Sequence, residues 1–167
     1  MIYIVRHGQT DFNLEKRITG RLDIPLNETG IKEASIVKEK LKDIKFDYVF
    51  VSPLIRAIKT AEIITNQEKF IDNRLIERYN GDLEGKIKRP DIDYKSSLNN
   101  LEPIEDMSKR VKSFFDEIKE KYPQKNILVV THGGVIINVR YYFEGQPKSG
   151  SIEEYLTGNC EIIKYDN

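Results

Sequence analysis

Residues 2–8 read Ile-Tyr-Ile-Val-Arg-His-Gly, and residues 127–134 read Ile-Leu-Val-Val-Thr-His-Gly-Gly. Each stretch is a short apolar run, rich in β-branched residues, that ends at a histidine followed at once by glycine. Such a run is typical of a buried strand, so the sequence predicts that His7 and His132 stand at strand ends. Ligands of open α/β sheets collect beyond the carboxyl ends of the strands. We therefore expect the two imidazoles to face one another across one pocket.

Strand-like and helix-like segments alternate between these two stretches, which predicts a three-layer α/β domain. Further strands are predicted at 48–51 and near 161–165. Apolar residues recur at helical spacing after Asn27, a good helix N-cap, and again from Val111 to Tyr122, before Pro123. Ser52 and Pro53 are predicted to begin the helix that follows the second strand, as capping hydroxyl and first-turn proline.

The composition indicates one soluble domain spanning residues 1–167. The net charge is zero, so no nucleic acid and no membrane surface is expected as a partner. No apolar stretch approaches the length of a membrane span, and residues 1–5 look like a first strand rather than a signal peptide. The single cysteine cannot form an intrachain disulfide, which makes the cytoplasm the expected location.

One segment, about residues 86–104, is polar and has no regular periodicity. A stretch of this length is uncommon inside a compact domain and is often a lid over a binding site. A solvated surface excursion explains the composition equally well.

The first strand end carries residue types that suit a phosphate ligand. Arg6 supplies a planar, permanently charged donor fork beside His7. Gly8 allows backbone to approach a ligand, and Asn13 adds a neutral donor if the loop curls back. Arg56 is predicted to lie in the first turn of a helix, where the helix N-terminus already favours anions.

Two further candidates lie later in the chain. Glu77 is flanked by apolar residues and precedes a glycine-rich turn, so partial burial would let its carboxyl hold a proton for a leaving alkoxide. Gly133 follows His132 at a predicted helix entry, which places backbone N–H groups beside the imidazole.

Other chemistries fit the sequence poorly. The Gly81–Lys86 stretch has the wrong spacing for a phosphate-binding P-loop. No arginine is placed to cradle a phosphate on Cys160, and neither aspartate of residues 91–93 follows a buried strand. Two distant histidines without a close-spaced ligand pair argue against zinc, so no metal and no cofactor are expected.

Taken together and in this order, five segments resemble the histidine phosphatase superfamily, also called phosphoglycerate mutase-like. They are Val-Arg-His-Gly-Gln-Thr-Asp-Phe-Asn at 5–13, the run from 19 to 26, Ser-Pro-Leu-Ile-Arg-Ala at 52–57 with Thr-Ala at 60–61, Glu-Arg-Tyr at 77–79 with its following glycines, and Thr-His-Gly-Gly at 131–134. The resemblance covers nearly the whole chain. It implies a three-layer α/β/α sandwich with a mostly parallel central sheet.

The resemblance also implies roles for the matching residues. His7 would be the nucleophile, with its ring held by a backbone carbonyl, and Glu77 the proton donor to the leaving oxygen. Three cationic side chains would surround the phosphoryl group, with His132 as an imidazolium; they are Arg6, Arg56 and His132.

The remaining implied contacts are to the substrate. Asn13 would add a hydrogen bond to the phosphoryl group, and the backbone near Thr19 and Gly20 resembles a substrate-contacting loop. The implied activity is phosphomonoester hydrolysis through a phosphohistidine, without a metal, on a small phosphorylated substrate.

Three alternatives stay open at this point. A phosphoglycerate mutase is the nearest, but the arginine pair and the insertion that mutases use have no clear counterpart here, unless Lys86, Lys88 and Arg89 replace them. A phosphoprotein or phosphohistidine phosphatase would need an open cleft. A silent phosphate-binding relative would have no need to keep nucleophile and acid together. The sequence therefore favours a compact hydrolase.

Overall fold

A computed structural model describes residues 1–93 and 99–167 of the chain. In these ranges the strands are β1 (Ile2–Arg6), β2 (Tyr48–Val51), β3 (Phe70–Ile71), β4 (Ile127–Thr131) and β5 (Ile162–Tyr165). The α-helices are α1 (Asp11–Leu14), α2 (Glu28–Leu41), α3 (Ile55–Ile64), α4 (Ile104–Lys121) and α5 (Gly133–Glu144). No helix in the same ranges is long and apolar enough to cross a bilayer.

The strands form one sheet in the order β3-β2-β4-β1-β5. The first four run parallel, and β5 is an antiparallel edge strand. In the β1–β4 pair Ile2 lies opposite Ile127 and Arg6 opposite Thr131. The residues that follow these two strands therefore emerge side by side, which confirms that His7 and His132 share one edge of the sheet.

Helices cover both faces of the sheet, as the predicted three layers require. On β4, Ile127 and Val129 pack in the core with α4 and α5, whereas Leu128 and Val130 pack in the core with α2 and α3. Successive strand residues point to opposite faces, so a strand buried on both sides is apolar at every position. This confirms the three-layer sandwich and explains why the 127–130 run shows no alternation.

Two predicted helix boundaries are confirmed, the start of α2 and the end of α4. The Asn27 side chain accepts from the backbone N–H of Gly30, so it caps α2 as expected. Helix α4 ends at Lys121, just before Tyr122 and Pro123. Helix α2 stops at Leu41, so Ile44 lies beyond it although its spacing continues the helical pattern.

The predicted cap of α3 is wrong. The helix begins at Ile55, its N-cap residue is Leu54, and no side chain caps it. The Ser52 hydroxyl lies 2.6 Å from Nε2 of His132 instead. The hydroxyl oxygen also accepts from the N–H of Leu54 at 3.4 Å, but its buried partner is a histidine just after the neighbouring strand β4 and not the first turn of α3.

The segment predicted as a lid begins with a stretch whose backbone hydrogen-bonds to that of residues 16–18. Ile18 donates its N–H to the Lys86 carbonyl (2.8 Å), and Lys88 donates to the Lys16 carbonyl (2.8 Å). The segment joins α4 at Ile104. Residues 94–98 of it lie outside the described residues, so the lid stays a prediction.

Candidate active site

His7 is held in one orientation at the end of β1. Its N–H donates to the Thr131 carbonyl (2.9 Å), and its ring Nδ1 lies 2.7 Å from the Gly8 carbonyl oxygen. A carbonyl only accepts hydrogen bonds, so Nδ1 carries the ring proton. Nε2 is therefore unprotonated, and its lone pair can accept a hydrogen bond. Arg56 Nε donates to that Nε2 at 3.3 Å. A backbone carbonyl therefore holds the ring, as the resemblance implied.

The surroundings of His7 keep it neutral. The residue is 4% exposed. Burial, and then the positive charges of Arg56 and Arg6, lower the pKa of His7 well below its usual value, and the hydrogen bond to Gly8 only partly opposes them. An unprotonated imidazole at neutral pH is the form that a nucleophile requires.

His132 lies beside His7, with ring centroids 5.1 Å apart. Its Nε2 contacts the Ser52 hydroxyl, whereas its buried Nδ1 has no hydrogen-bond partner among the described residues. Burial, followed by the charge of Arg56, lowers the pKa of His132 well below its usual value. The buried and already cationic surroundings therefore disfavour the imidazolium form of His132 in the pocket without an anion. The imidazolium beside a bound phosphoryl group stays a prediction.

Arg6 also has a buried nitrogen without a hydrogen-bond partner in the described part of the chain. Its Nη1 donates to the Thr157 carbonyl, but its buried Nε has no partner among the described residues. A Cβ at Gly133 would lie 3.5 Å from this guanidinium, so Gly133 is packed directly against it. Buried donors are nearly always satisfied in folded proteins. Arg6 Nε therefore marks a place suited to an anionic ligand, and His132 Nδ1 would join it in the form of the ring that carries the Nδ1 proton.

Arg56 is 1% exposed, and each of its three guanidinium nitrogens donates one hydrogen bond. Besides its bond to His7, its Nη1 donates to the Leu22 carbonyl (2.8 Å) and its Nη2 to the Gly20 carbonyl (2.7 Å). Burial lowers the pKa of Arg56 to about 10, with the Glu77 charge opposing the shift, so the side chain stays cationic at neutral pH.

The loop that carries Thr19 and Gly20 is thus tied to the pocket. Gly20 has φ +52° and its added Cβ would collide with the Glu84 carboxylate, so glycine is required here. That carboxylate accepts from the backbone N–H groups of Arg21 (2.8 Å) and Asn80 (3.0 Å). The structure places the loop beside Arg56; contact of Thr19 and Gly20 with substrate remains a prediction.

Glu77 reaches the pocket from the segment after the 3₁₀ turn at Asn73–Leu75. Its carboxylate accepts from the N–H of Arg78 (2.8 Å) and from that of Gly134 in the first turn of α5 (3.1 Å). A Cβ at Gly134 would stand 2.4 Å from Glu77 Oε1. The carboxylate therefore rests on the helix N-terminus in a space that only glycine leaves open.

Asn13 lies in α1, close to the His7 loop. Its Oδ1 accepts from Thr10 N (3.1 Å), Thr10 Oγ1 (3.1 Å) and Asn159 Nδ2 (3.2 Å). With Oδ1 saturated, the Nδ2 amide is the group left to donate to a ligand. Asn159 also donates to the His7 carbonyl (2.9 Å), a contact that no sequence pattern indicated.

Two of the three cations considered as replacements for the mutase arginines, Arg89 and Lys88, differ in their surroundings. Arg89 pairs with Asp91 at 3.4 Å. Lys88 is exposed, but partial desolvation and then the charge of Arg6 lower its pKa, while the charge of Glu77 opposes the shift. Across residues 1–93 and 99–167, no group of three or more His, Cys, Asp or Glu residues is arranged to hold a metal ion.

Comparison with known proteins gives one consistent family. Residues 2–166 match the family model described as the histidine phosphatase superfamily, branch 1. The chain is 32% identical to phosphoglycerate mutase-like protein 4 of Arabidopsis thaliana, over 98% of this chain and 78% of the relative. It is 37% identical to the uncharacterized phosphatase PhoE of Bacillus subtilis, over 81% of this chain and 72% of the relative.

Solved structures agree with these sequence matches. A mycobacterial glucosyl-3-phosphoglycerate phosphatase superposes with a TM-score of 0.83 at 25% identity, covering 96% of this chain and 90% of the other. A phosphoserine phosphatase mutant of Entamoeba histolytica, in complex with phosphoserine, superposes with a TM-score of 0.81 at 26% identity, covering 96% and 87%.

Proposed function

The chain belongs to the histidine phosphatase superfamily, and from this premise we propose that it hydrolyses phosphomonoesters through a phosphohistidine formed on His7, without a metal ion. One observation carries the proposal: Nδ1 of a buried, neutral His7 donates to Gly8 O, which leaves Nε2 unprotonated, next to the Arg56 guanidinium that donates to it and beside the ring of His132. Relatives named as phosphatases support hydrolysis.

In the first step the Nε2 lone pair of His7 forms a bond to phosphorus as the ester P–O bond breaks. A proton passes from the Glu77 carboxyl to the leaving oxygen, which departs as an alcohol. The ring then carries a positive charge with its Nδ1 proton still on the Gly8 carbonyl, and that hydrogen bond stabilises it. Arg6, Arg56 and the Asn13 amide would hold the phosphoryl oxygens, since phosphoryl transfer is catalysed mainly by positioning and charge.

In the second step the Glu77 carboxylate takes a proton from a water molecule. The water oxygen forms a bond to phosphorus, the P–N bond breaks, and its electron pair returns to Nε2. Inorganic phosphate leaves and His7 is regenerated. The dianionic product or substrate lies next to His132 and would raise the pKa of that imidazole, so that Nδ1 donates to a phosphoryl oxygen.

The proposed substrate is a small phosphorylated metabolite. The zero net charge of the chain supports neither a nucleic acid nor an anionic membrane as partner. The single cysteine, which cannot form an intrachain disulfide, supports a cytoplasmic location.

The test is hydrolysis of p-nitrophenyl phosphate by the wild type and by His7→Ala, each with and without EDTA. Activity that survives EDTA and falls to background in His7→Ala supports the proposal. Activity that persists in a folded His7→Ala, or that EDTA abolishes, contradicts it.

The role of Glu77 has a separate test in leaving-group dependence. General acid catalysis contributes about 10²–10⁴ in rate. Glu77→Ala is therefore expected to lose about that factor with alkyl phosphates and far less with p-nitrophenyl phosphate, whose leaving group needs little protonation. Equal losses with both esters would contradict the proton-donor role.

Phosphoglycerate mutase activity is the second candidate, and the names of several relatives favour it. The charges of Arg6 and Glu77 both act on the pKa of Lys88, and its ammonium would be the group that pairs with a carboxylate of phosphoglycerate. Some relatives are named phosphoglycerate mutase, at 32% identity over 98–100% of this chain. Incubation with 3-phosphoglycerate separates the two activities: a hydrolase releases inorganic phosphate, whereas a mutase yields the 2-isomer.

A further inference from the structure

Glu77 enters the pocket by its side chain, but its main chain is held from the opposite side by arginines. The Glu77 carbonyl accepts from Arg21 Nε at 3.0 Å and from Arg110 Nη2 at 3.4 Å. Arg110 belongs to α4 and also donates to the Arg74 carbonyl at 2.7 Å. One guanidinium thus spans the segment that leads to Glu77.

Glu102, just before α4, joins these arginines. Its Oε1 accepts from Arg110 Nε at 2.8 Å and its Oε2 from Arg110 Nη2 at 2.9 Å, a two-pronged pair with fixed geometry. Arg21 Nη2 lies 3.2 Å from the same Oε2. The side chains of Glu102 and Arg110 are 12% and 16% exposed, so solvent screens this pair weakly.

Glu102 also grips the residues that follow Glu77. Its N–H donates to the Tyr79 carbonyl at 2.8 Å, Tyr79 N–H donates to Oε2 at 3.3 Å, and Arg78 Nε donates to the Glu102 carbonyl at 2.9 Å. Burial raises the pKa of Glu102, but the hydrogen bond and the charge of Arg110 outweigh this effect and keep the pKa below its usual value. The pair therefore stays ionised at neutral pH.

We propose that Glu102 and Arg110 are positioning residues: they hold the backbone of Glu77 and so set how far its carboxyl group extends into the pocket. This inference rests on the proposed role of Glu77 as proton donor. Neither side chain hydrogen-bonds to His7, His132 or the Glu77 carboxylate, so each acts through the main chain. A carboxyl that transfers a proton must lie within hydrogen-bond reach of the leaving oxygen, and a small displacement of its backbone removes that contact.

The experiment compares Arg110→Met with the wild type by two readouts. The first is ¹H–¹⁵N NMR of the Arg78 and Gly134 amides, which donate to the Glu77 carboxylate and report its position without any turnover. The second is the ratio of kcat/KM for phenyl phosphate to that for p-nitrophenyl phosphate. We expect both amide resonances to shift, and the ratio to fall about 10-fold or more, because the poorer leaving group depends on Glu77.

Arg140→Met is the matched control. Arg140 is similarly covered, at 19% exposure, and it pairs with Glu144 at 3.2 Å two turns along α5 from Gly134. This variant is expected to leave the ester ratio and both amide resonances unchanged. Arg110→Lys, which keeps the charge but not the fork, is expected to lie between Arg110→Met and the wild type.

Unchanged Arg78 and Gly134 amides in a folded Arg110→Met would overturn the proposal, and so would equal losses with both esters. If Arg110→Met does not fold, the isosteric Glu102→Gln takes its place in both readouts with the same expectations. A wild type that hydrolyses neither ester would refute the proposed function, while the amide readout would still decide whether Arg110 positions Glu77.

Discussion

Arg56 is a buried guanidinium whose donors are shared between the predicted nucleophile and the neighbouring loop. One nitrogen donates to His7 and the other two to the carbonyls of Gly20 and Leu22. The planar fork spreads these donors over three nitrogens in fixed directions, whereas an ammonium offers all of its donors from one atom. The residue that is proposed to hold the phosphoryl group therefore also fixes the loop beside it.

We predict that Arg56→Lys lowers both activity and stability. Two or more charge-assisted hydrogen bonds are lost, each worth about 1.5–3 kcal/mol. The expected losses are about 10²–10³-fold in kcat/KM for p-nitrophenyl phosphate and about 3–6 kcal/mol in the free energy of unfolding in urea. Arg140→Lys, at a partly covered ion pair away from the pocket, is the control and is expected to change neither by much. Wild-type turnover in Arg56→Lys would contradict the assigned role.

At the scale of elements, the N-terminus of α5 supplies both an imidazole and a seat for a carboxylate. His132 is the N-cap residue of α5, and Gly134 donates its N–H to Glu77. The two glycines after His132 do different things: a Cβ at Gly133 meets Arg6 at an ordinary 3.5 Å, whereas one at Gly134 meets Glu77 Oε1 at 2.4 Å. The second glycine of the Thr-His-Gly-Gly motif is therefore needed to leave space for the Glu77 carboxylate.

Gly134→Ala is predicted to displace the Glu77 carboxylate without unfolding the protein. Alanine is favoured over glycine in a helix by about 0.5–1 kcal/mol, so stability in urea should not fall. The ratio of kcat/KM for phenyl phosphate to that for p-nitrophenyl phosphate should fall about 10-fold or more. In Gly133→Ala that ratio should stay at the wild-type value, because the added methyl group does not touch Glu77. If Gly134→Ala leaves the ratio unchanged, the steric argument is wrong.

At the scale of the whole molecule, the parallel pairing of β1 with β4 brings two distant histidines into one buried, cationic pocket. Residues 7 and 132 are 4% and 0% exposed. Burial and the pocket arginines lower the pKa of both imidazoles well below the usual value. The burial that keeps His7 neutral, as its proposed role requires, therefore also couples global stability to pH.

We predict that the free energy of unfolding falls as pH decreases from 7.5 to 5.5. Well above the usual histidine pKa of about 6.5, both histidines are neutral whether the chain is folded or unfolded, so they contribute little pH dependence there. Below that pH the unfolded chain binds protons that the folded pocket refuses, which favours unfolding. The expected loss is about 1.4 kcal/mol for each histidine over this range.

The measurement is urea unfolding at pH 7.5, 6.5 and 5.5. These are the only two histidines in the chain, so His7→Gln should remove about half of the pH dependence between pH 7.5 and 5.5. A wild-type stability that is flat over this range would show that the pocket does not depress the imidazole pKa values.

The sequence by itself determined the layers, the strand ends and the candidate site residues. Apolar runs bounded by glycine predict buried strands wherever they lie, and residues that follow parallel strands share one edge of the sheet. For that reason His7 and His132, with Arg6 beside His7, could be placed together before any contact was known, and the family resemblance placed Arg56 with them. The family resemblance, also legible in the sequence, added Glu77 as proton donor.

Only the tertiary structure decided which partners these residues have. Ser52 bonds His132 rather than capping a helix, Asn159 braces the His7 backbone, and Arg110 reaches Glu77 from 33 residues away. The neutral state of His132 likewise follows from what surrounds it. Hydrogen bonds and pKa values depend on distances between side chains that are remote in sequence, and a local pattern of residues carries no information about those distances.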